Sequence, residues 1–234
     1  MTSRSGRTST SEPSVADRLE AVLEHVLGRV AIEQLQQLSG GASRETWSFT
    51  AGGHDLILRR DPPGRPGAPG SMRAEADAMR ACARAGLAVP DVLVDDDGST
   101  LGTAGLVMRR VPGETLARKI LRDDEYAHAR ERLVHQLGEF LAGLHAIDPA
   151  EVPGAREADS MAQYWQAYNT IDDVSPTFEK AYHWLVDNRP ARTATVIVHG
   201  DLRMGNVIVD EDGLAAAIDW ELVHAGDPLE DLGW

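Results

Sequence analysis

Chemistry in this 234-residue chain concentrates in His199-Gly200-Asp201-Leu202-Arg203-Met204-Gly205-Asn206. A short apolar run, Thr195–Val198, delivers Asp201 onto a loop, and Asn206 follows five residues later at the start of the next apolar run. A second carboxylate, Asp219, stands in Ala217-Ile218-Asp219-Trp220. Strand ends hold side chains rigidly while loops leave them accessible. One carboxylate so placed can accept a proton from a hydroxyl. An amide oxygen and a second carboxylate form a hard-oxygen site suited to Mg²⁺, with nucleotide phosphates completing the shell. An Asp, an Asn five residues on and a downstream Asp are the parts that phosphoryl transfer requires.

The elements that must position these groups are legible in the pattern of the chain. Ser14 is suited to cap a helix over about 14–27, with Val15, Leu19, Val22, Leu23 and Val26 on one face and Gly28 at its end. Strands are expected over about 31–38, 44–50 and 55–60, separated by glycine turns at 39–43 and 51–54. The segment 61–70 is seven-tenths Pro and Gly and cannot be regular structure. A helix over about 71–85 and strands over about 90–94 and 104–110, joined by Asp95-Asp96-Asp97-Gly98, complete a region of five strands and two helices. Beyond Val111-Pro112-Gly113 the signal is helical to about 190, strongest at 124–146, with further helices near 160–169 and 176–188. A hairpin then runs through Asp210-Glu211-Asp212-Gly213. The expected organisation is a disordered tail over 1–13, an N-terminal lobe over 14–110, a hinge at 111–113 and a C-terminal lobe over 114–234.

Composition excludes several functions. Twenty-three basic residues against 37 acidic leave a net charge of −14, which opposes nucleic-acid binding and docking on anionic lipid. No apolar stretch is long enough to span a bilayer, and the N-terminus carries no apolar core of a secretory signal. The single Cys82 excludes an internal disulfide. A cytoplasmic protein is expected, of unassigned oligomeric state. Charge is uneven: residues 1–80 hold ten basic and ten acidic side chains, so residues 81–234 carry the whole excess. Lys119 and Lys180 are the only lysines.

The chain resembles the aminoglycoside phosphotransferase/choline kinase family, which has a protein-kinase-like fold. Within it the likeness is greatest to the kinase-like domains related to those fused to acyl-CoA dehydrogenases. The likeness is carried by LSGGASRETWSF (38–49), LILRRDPPG (56–64), the HGD triplet with Asn206, and IDWELVHAGDPLEDLGW (218–234). It implies an α+β fold of two lobes: an N-terminal antiparallel five-stranded sheet with a helix beside it, and a mainly helical C-terminal lobe bearing the catalytic hairpin. It implies that Asp201 is the catalytic base, that Asn206 and Asp219 hold Mg²⁺, and that His199 and Asp227 support the loop. Gly40, Gly41 and Ser43 would place backbone N–H groups over phosphates. Arg59 stands where such enzymes carry a strand-borne Lys, and Glu75 stands where that cation's partner is expected. Alternation puts Arg59 and Arg60 on opposite faces of the strand, and the match favours Arg59. Backbone groups of Met108, Arg109 and Val111 would meet the adenine edge.

The implied reaction moves the terminal phosphoryl group of Mg-ATP, with GTP as the alternative nucleotide, to a hydroxyl of a small metabolite. A competing expectation is a non-catalytic nucleotide-binding or scaffold protein. Two features support it: arginine in place of lysine, and an end at Trp234 where the family's lobe continues into further helices that form the acceptor pocket.

Overall fold

The computed structural model describes residues 13–38, 43–68, 70–172, 174–191 and 194–233. Residues 1–12 of the expected tail and the glycine pair Gly40-Gly41 lie outside the described residues. The chain divides into two compact units: residues 1–67 with 93–109, and residues 68–92 with 110–234.

The first unit is built on a five-stranded sheet. Its strands are β1 (Ile32–Leu38), β2 (Glu45–Ala51), β3 (His54–Arg60), β4 (Val92–Asp97) and β5 (Ala104–Arg109), in the order β1-β2-β3-β5-β4. The pairs β1–β2, β2–β3 and β3–β5 are antiparallel. Helix α1 (Val15–Leu27) opens on a capping box: the Ser14 hydroxyl accepts from the Asp17 N–H, and the Asp17 carboxylate accepts from the Ser14 N–H. Its Leu19, Val22 and Leu23 pack with Phe49, Leu56, Leu58 and Val107 in one core cluster. Burying an apolar face of this kind is the main stabilising contribution available to a helix this short. The β4 strand runs further than the sequence suggests, through Asp97 instead of ending near 94. The cause is Asp96, whose carboxylate accepts from the N–H groups of Gly98, Thr100 and Leu101 and so caps the turn from inside the strand.

The second unit begins with α2 (Ser71–Arg84), followed by α3 (Ala117–Arg122), α4 (Ala127–His145), α5 (Ser160–Tyr168) and α6 (Pro176–Asp187). It continues with β6 (Val196–Val198), β7 (Val207–Asp210), β8 (Gly213–Ala217), β9 (His224–Gly226) and α7 (Leu229–Leu232). Strands β7 and β8 form the expected hairpin, with Asp210 Oδ1 accepting from the N–H groups of Asp212 and Gly213 across its turn. Helix α4 packs on β8 and β6. Close packing of α2 depends on Gly154, where a Cβ would come within 2.6 Å of the Ala74 backbone. Strand β9 has no signal in the sequence. It exists because β6 pairs with it on one side and the segment around Glu157 bonds to Ala225 on the other. No helix among the described residues is long and apolar enough to cross a membrane.

Candidate active site

Strand β6 is fully buried and carries the chain into His199, which has no exposed surface. Gly200 then turns the backbone at φ +82°, where a Cβ would meet the Leu222 carbonyl oxygen at 2.9 Å. Only glycine combines that dihedral with that approach. Leu202 is buried and anchors the loop from below. Asp201 is thereby presented at the surface of the unit with its side chain 18% exposed.

Asp201 is held on three sides. Asn206 Nδ2 donates to the Asp201 carbonyl oxygen at 2.8 Å and to Asp201 Oδ2 at 2.6 Å. Arg203 Nε donates to Asp201 Oδ1 at 3.0 Å. The Asp201 N–H donates to His199 Nδ1 at 3.3 Å. Asn206 is 4% exposed and closes a turn of 3₁₀ helix at residues 204–206, one residue before the strand that it was expected to begin. Its amide nitrogen is committed to Asp201, which leaves Oδ1 as the acceptor. Its backbone carbonyl accepts from the Ile218 N–H at 2.9 Å, so the segment bearing Asp219 is tied to the segment bearing Asn206. Asp219 adopts φ +66°, the left-handed region that non-glycine residues rarely occupy. Strain of this kind costs on the order of 1–3 kcal/mol and persists where the surroundings impose it.

His199 links the two segments. Its Nδ1 accepts from Asp201, so Nε2 carries the proton and donates to the Ile218 carbonyl oxygen at 3.1 Å. The ring leans on buried Trp220, with centroids 4.5 Å apart. Burial lowers the pKa of His199 below the ordinary imidazole value, and the neutral ring matches both bonds.

The support expected at Asp227 comes instead from Asp231. Asp227 Oδ1 accepts from the Leu229 N–H at 3.0 Å and starts α7. Asp231 Oδ1 accepts from the Gly200 N–H at 2.8 Å, and its Oδ2 accepts from the His199 N–H at 3.1 Å and from His145 Nε2 at 2.9 Å. Burial alone would raise the Asp231 pKa. The bonds from His145, Gly200 and His199 outweigh it and hold the carboxyl below the usual range. An Asp directly before Pro228 reads as a helix start, and that signal could have separated the two residues.

In the first unit, the register places Arg59 beside Thr46 and Leu106, on the opposite face from Leu56 and Leu58. Arg60 shares the face of Leu58 and is 7% exposed, so it is not a solvated surface residue. Its guanidinium pairs with Glu45 at 2.8 Å and lies over the Trp47 ring. Arg59 is the strand cation on the other face. Met108 is buried on the face of Ile57 and Arg59. Arg109 reaches His54 Nδ1 at 3.1 Å, Val111 is half-buried and Ser43 is exposed. Glu75 belongs to α2 in the second unit and is 1% exposed.

The oxygen donors of Asn206 and Asp219 suit Mg²⁺, which characteristically takes one or two protein carboxylates and fills its shell with phosphate and water. Among the described residues no group of three or more His, Cys, Asp or Glu is placed to hold a metal ion.

The sequence matches the phosphotransferase enzyme family (APH) over residues 34–234. Mouse acyl-CoA dehydrogenase family member 10 is 30% identical over 93% of this chain, which spans only 22% of that protein. Viomycin phosphotransferase of Streptomyces vinaceus is 33% identical over 67% of this chain and 59% of its own length. The aminoglycoside phosphotransferase APH(4)-Ia, solved with AMP-PNP and hygromycin B, has a TM-score of 0.67 at 23% identity, covering 92% of this chain and 74% of that one. That likeness establishes the protein-kinase-like fold. Because the family match takes in the Asp201 loop, the hairpin and the Asp219 segment together, the chain belongs to the phosphotransferase enzyme family.

Proposed function

We propose that this chain transfers the terminal phosphoryl group of a Mg-nucleotide to a hydroxyl of a small molecule, with Asp201 as the base. The observation that carries the reading is the pair of hydrogen bonds that Asn206 Nδ2 donates to Asp201. It supports the reading because it fixes the carboxylate and leaves the amide oxygen of Asn206 as an acceptor. Asp201 would orient the acceptor hydroxyl and take its proton. Asn206 and Asp219 would hold Mg²⁺, which when bound neutralises charge on the phosphates. Arg59 would bind phosphate, as an arginine can bidentately. The backbone of Gly40, Gly41 and Ser43 would cover the phosphates, and that of Met108, Arg109 and Val111 would meet the base. ATP is the proposed nucleotide, GTP the alternative, and the cytoplasm the proposed compartment.

The acceptor is proposed to be a hydroxyl-bearing metabolite and not an antibiotic. Support comes from the relatives: the dehydrogenase family member aligns with 93% of this chain, the viomycin enzyme with 67%. A second reading, a nucleotide-binding protein without turnover, is favoured by one observation: no lysine precedes Lys119, so an arginine occupies the strand position. Phosphate release from ATP, with and without Mg²⁺ and across a panel of small alcohols, separates the two. Metal-dependent turnover supports the enzyme. Saturable ATP binding with no turnover supports the second reading.

A further inference from the structure

We infer that His145 is a positioning residue for the loop that carries Asp201, acting through Asp231. The inference rests on the proposed role of Asp201 and adds a residue outside the HGD and IDW segments. Asp231 accepts from two backbone N–H groups of the loop, those of His199 and Gly200. It is buried, with no exposed side-chain surface. A carboxylate with two oxygens can meet two N–H groups in many orientations, and its third bond, from His145 Nε2 at 2.9 Å, removes that freedom. An ionised carboxylate only accepts, so His145 is the donor.

The origin of that bond lies in α4. Gln136 on this helix accepts from the Leu214 N–H and donates to the Asp212 carbonyl oxygen, gripping the β7–β8 turn. One turn on, Phe140 meets Trp220 with centroids 6.3 Å apart. His145 occupies the last turn and reaches Asp231. One rigid helix therefore sets the hairpin, the Trp220 platform beneath His199 and the carboxylate that suspends the loop. The base is held to the tolerance that catalysis demands by groups that never touch substrate.

Two variants of the full chain separate a donor role from a packing role. His145→Phe keeps a ring of similar size and removes the donor; His145→Gln keeps an N–H near the position of Nε2. The readouts are steady-state hydrolysis of MgATP, with water as acceptor, and amide hydrogen exchange of peptides spanning residues 199–206 against those spanning 207–217. The expected result for His145→Phe is a fall in kcat of about tenfold with KM for ATP within twofold. Exchange should quicken at 199–206 alone, and His145→Gln should restore both. Three results would overturn the inference: a Phe variant matching wild type in both readouts, a Gln variant as impaired as Phe, or a Phe variant with no cooperative unfolding transition. Should wild type itself show no turnover, the proposed reaction fails and the exchange comparison still decides the role of His145.

Discussion

At the scale of single residues, several of the hydrogen bonds that hold the site depend on one protonation state. His199 is the sharpest case. Its Nδ1 accepts and its Nε2 donates, so a second ring proton would break the bond to the Asp201 N–H. Burial already keeps its folded-state pKa low. Below the unfolded-state pKa of about 6.5 the unfolded chain gains a proton that the folded chain refuses. Stability is therefore complete above that pH and falls as pH drops, by at most about 1.4 kcal/mol per unit until the folded pKa is reached. Asp231, whose folded pKa is also depressed, adds its own loss only below about pH 4. Urea midpoints for the wild-type chain should decline between pH 7.5 and 5, and His199→Gln should flatten that part of the curve. A wild-type midpoint unchanged over this window would contradict the buried neutral ring.

The element scale shows why some of this was legible and some was not. Local signals worked where a turn or cap is made by its own neighbours. Ser14 and Gly28 bound α1, and Asp210 through Gly213 make the hairpin turn. Strand alternation put Arg59 and Arg60 on opposite faces, and the α1 core shows which face is which. Signals failed where the partner is distant. Strand β9 has three residues and is defined by β6 and the segment around Glu157. The loop's carboxylate lies 31 residues beyond Gly200, and the one local signal that bears on the choice between Asp227 and Asp231 is the Pro that follows Asp227.

Two predictions belong to this scale. Gly154→Ala forces a Cβ against the Ala74 backbone, and should cost about 1–3 kcal/mol in urea unfolding by overpacking. No change would mean that α2 is not seated as described. Cys82 on the same helix is fully buried, and burial pushes its thiol pKa up to about 12. A disulfide reagent at pH 8 should leave it unmodified in the folded protein and react fully in denaturant; rapid native-state modification would contradict the burial.

For the whole molecule, the charge asymmetry takes on a definite meaning. The −14 resides in residues 81–234, the stretch that holds Asp201, Asp219 and Asp231. Of these, Asp231 serves the loop's backbone, while Asp201 and Asp219 are the groups proposed for chemistry. The length takes its meaning from the relatives: the aligned part of the chain spans 22% of one and 59% of another. Binding of nucleotide to the folded chain should appear as stabilisation. At a hundredfold excess over Kd, ligand linkage contributes about 2.7 kcal/mol. For a chain of this size that is a rise in Tm of roughly 5–10 °C. The rise should appear with ATP and Mg²⁺ together and shrink for Asp219→Ala when Mg²⁺ is present. An identical shift in that variant would remove Asp219 from the proposed metal site.

The central claim is that Asp201 is the base, and Asp201→Asn tests it most directly. The substitution keeps size and hydrogen-bonding shape and removes the proton acceptor. The measurement is steady-state transfer from MgATP by wild type and variant, with nucleotide affinity determined alongside. Metal-dependent turnover by wild type should fall in the variant by about a thousandfold or more, with nucleotide affinity within severalfold. Turnover in Asp201→Asn within tenfold of wild type would contradict the account.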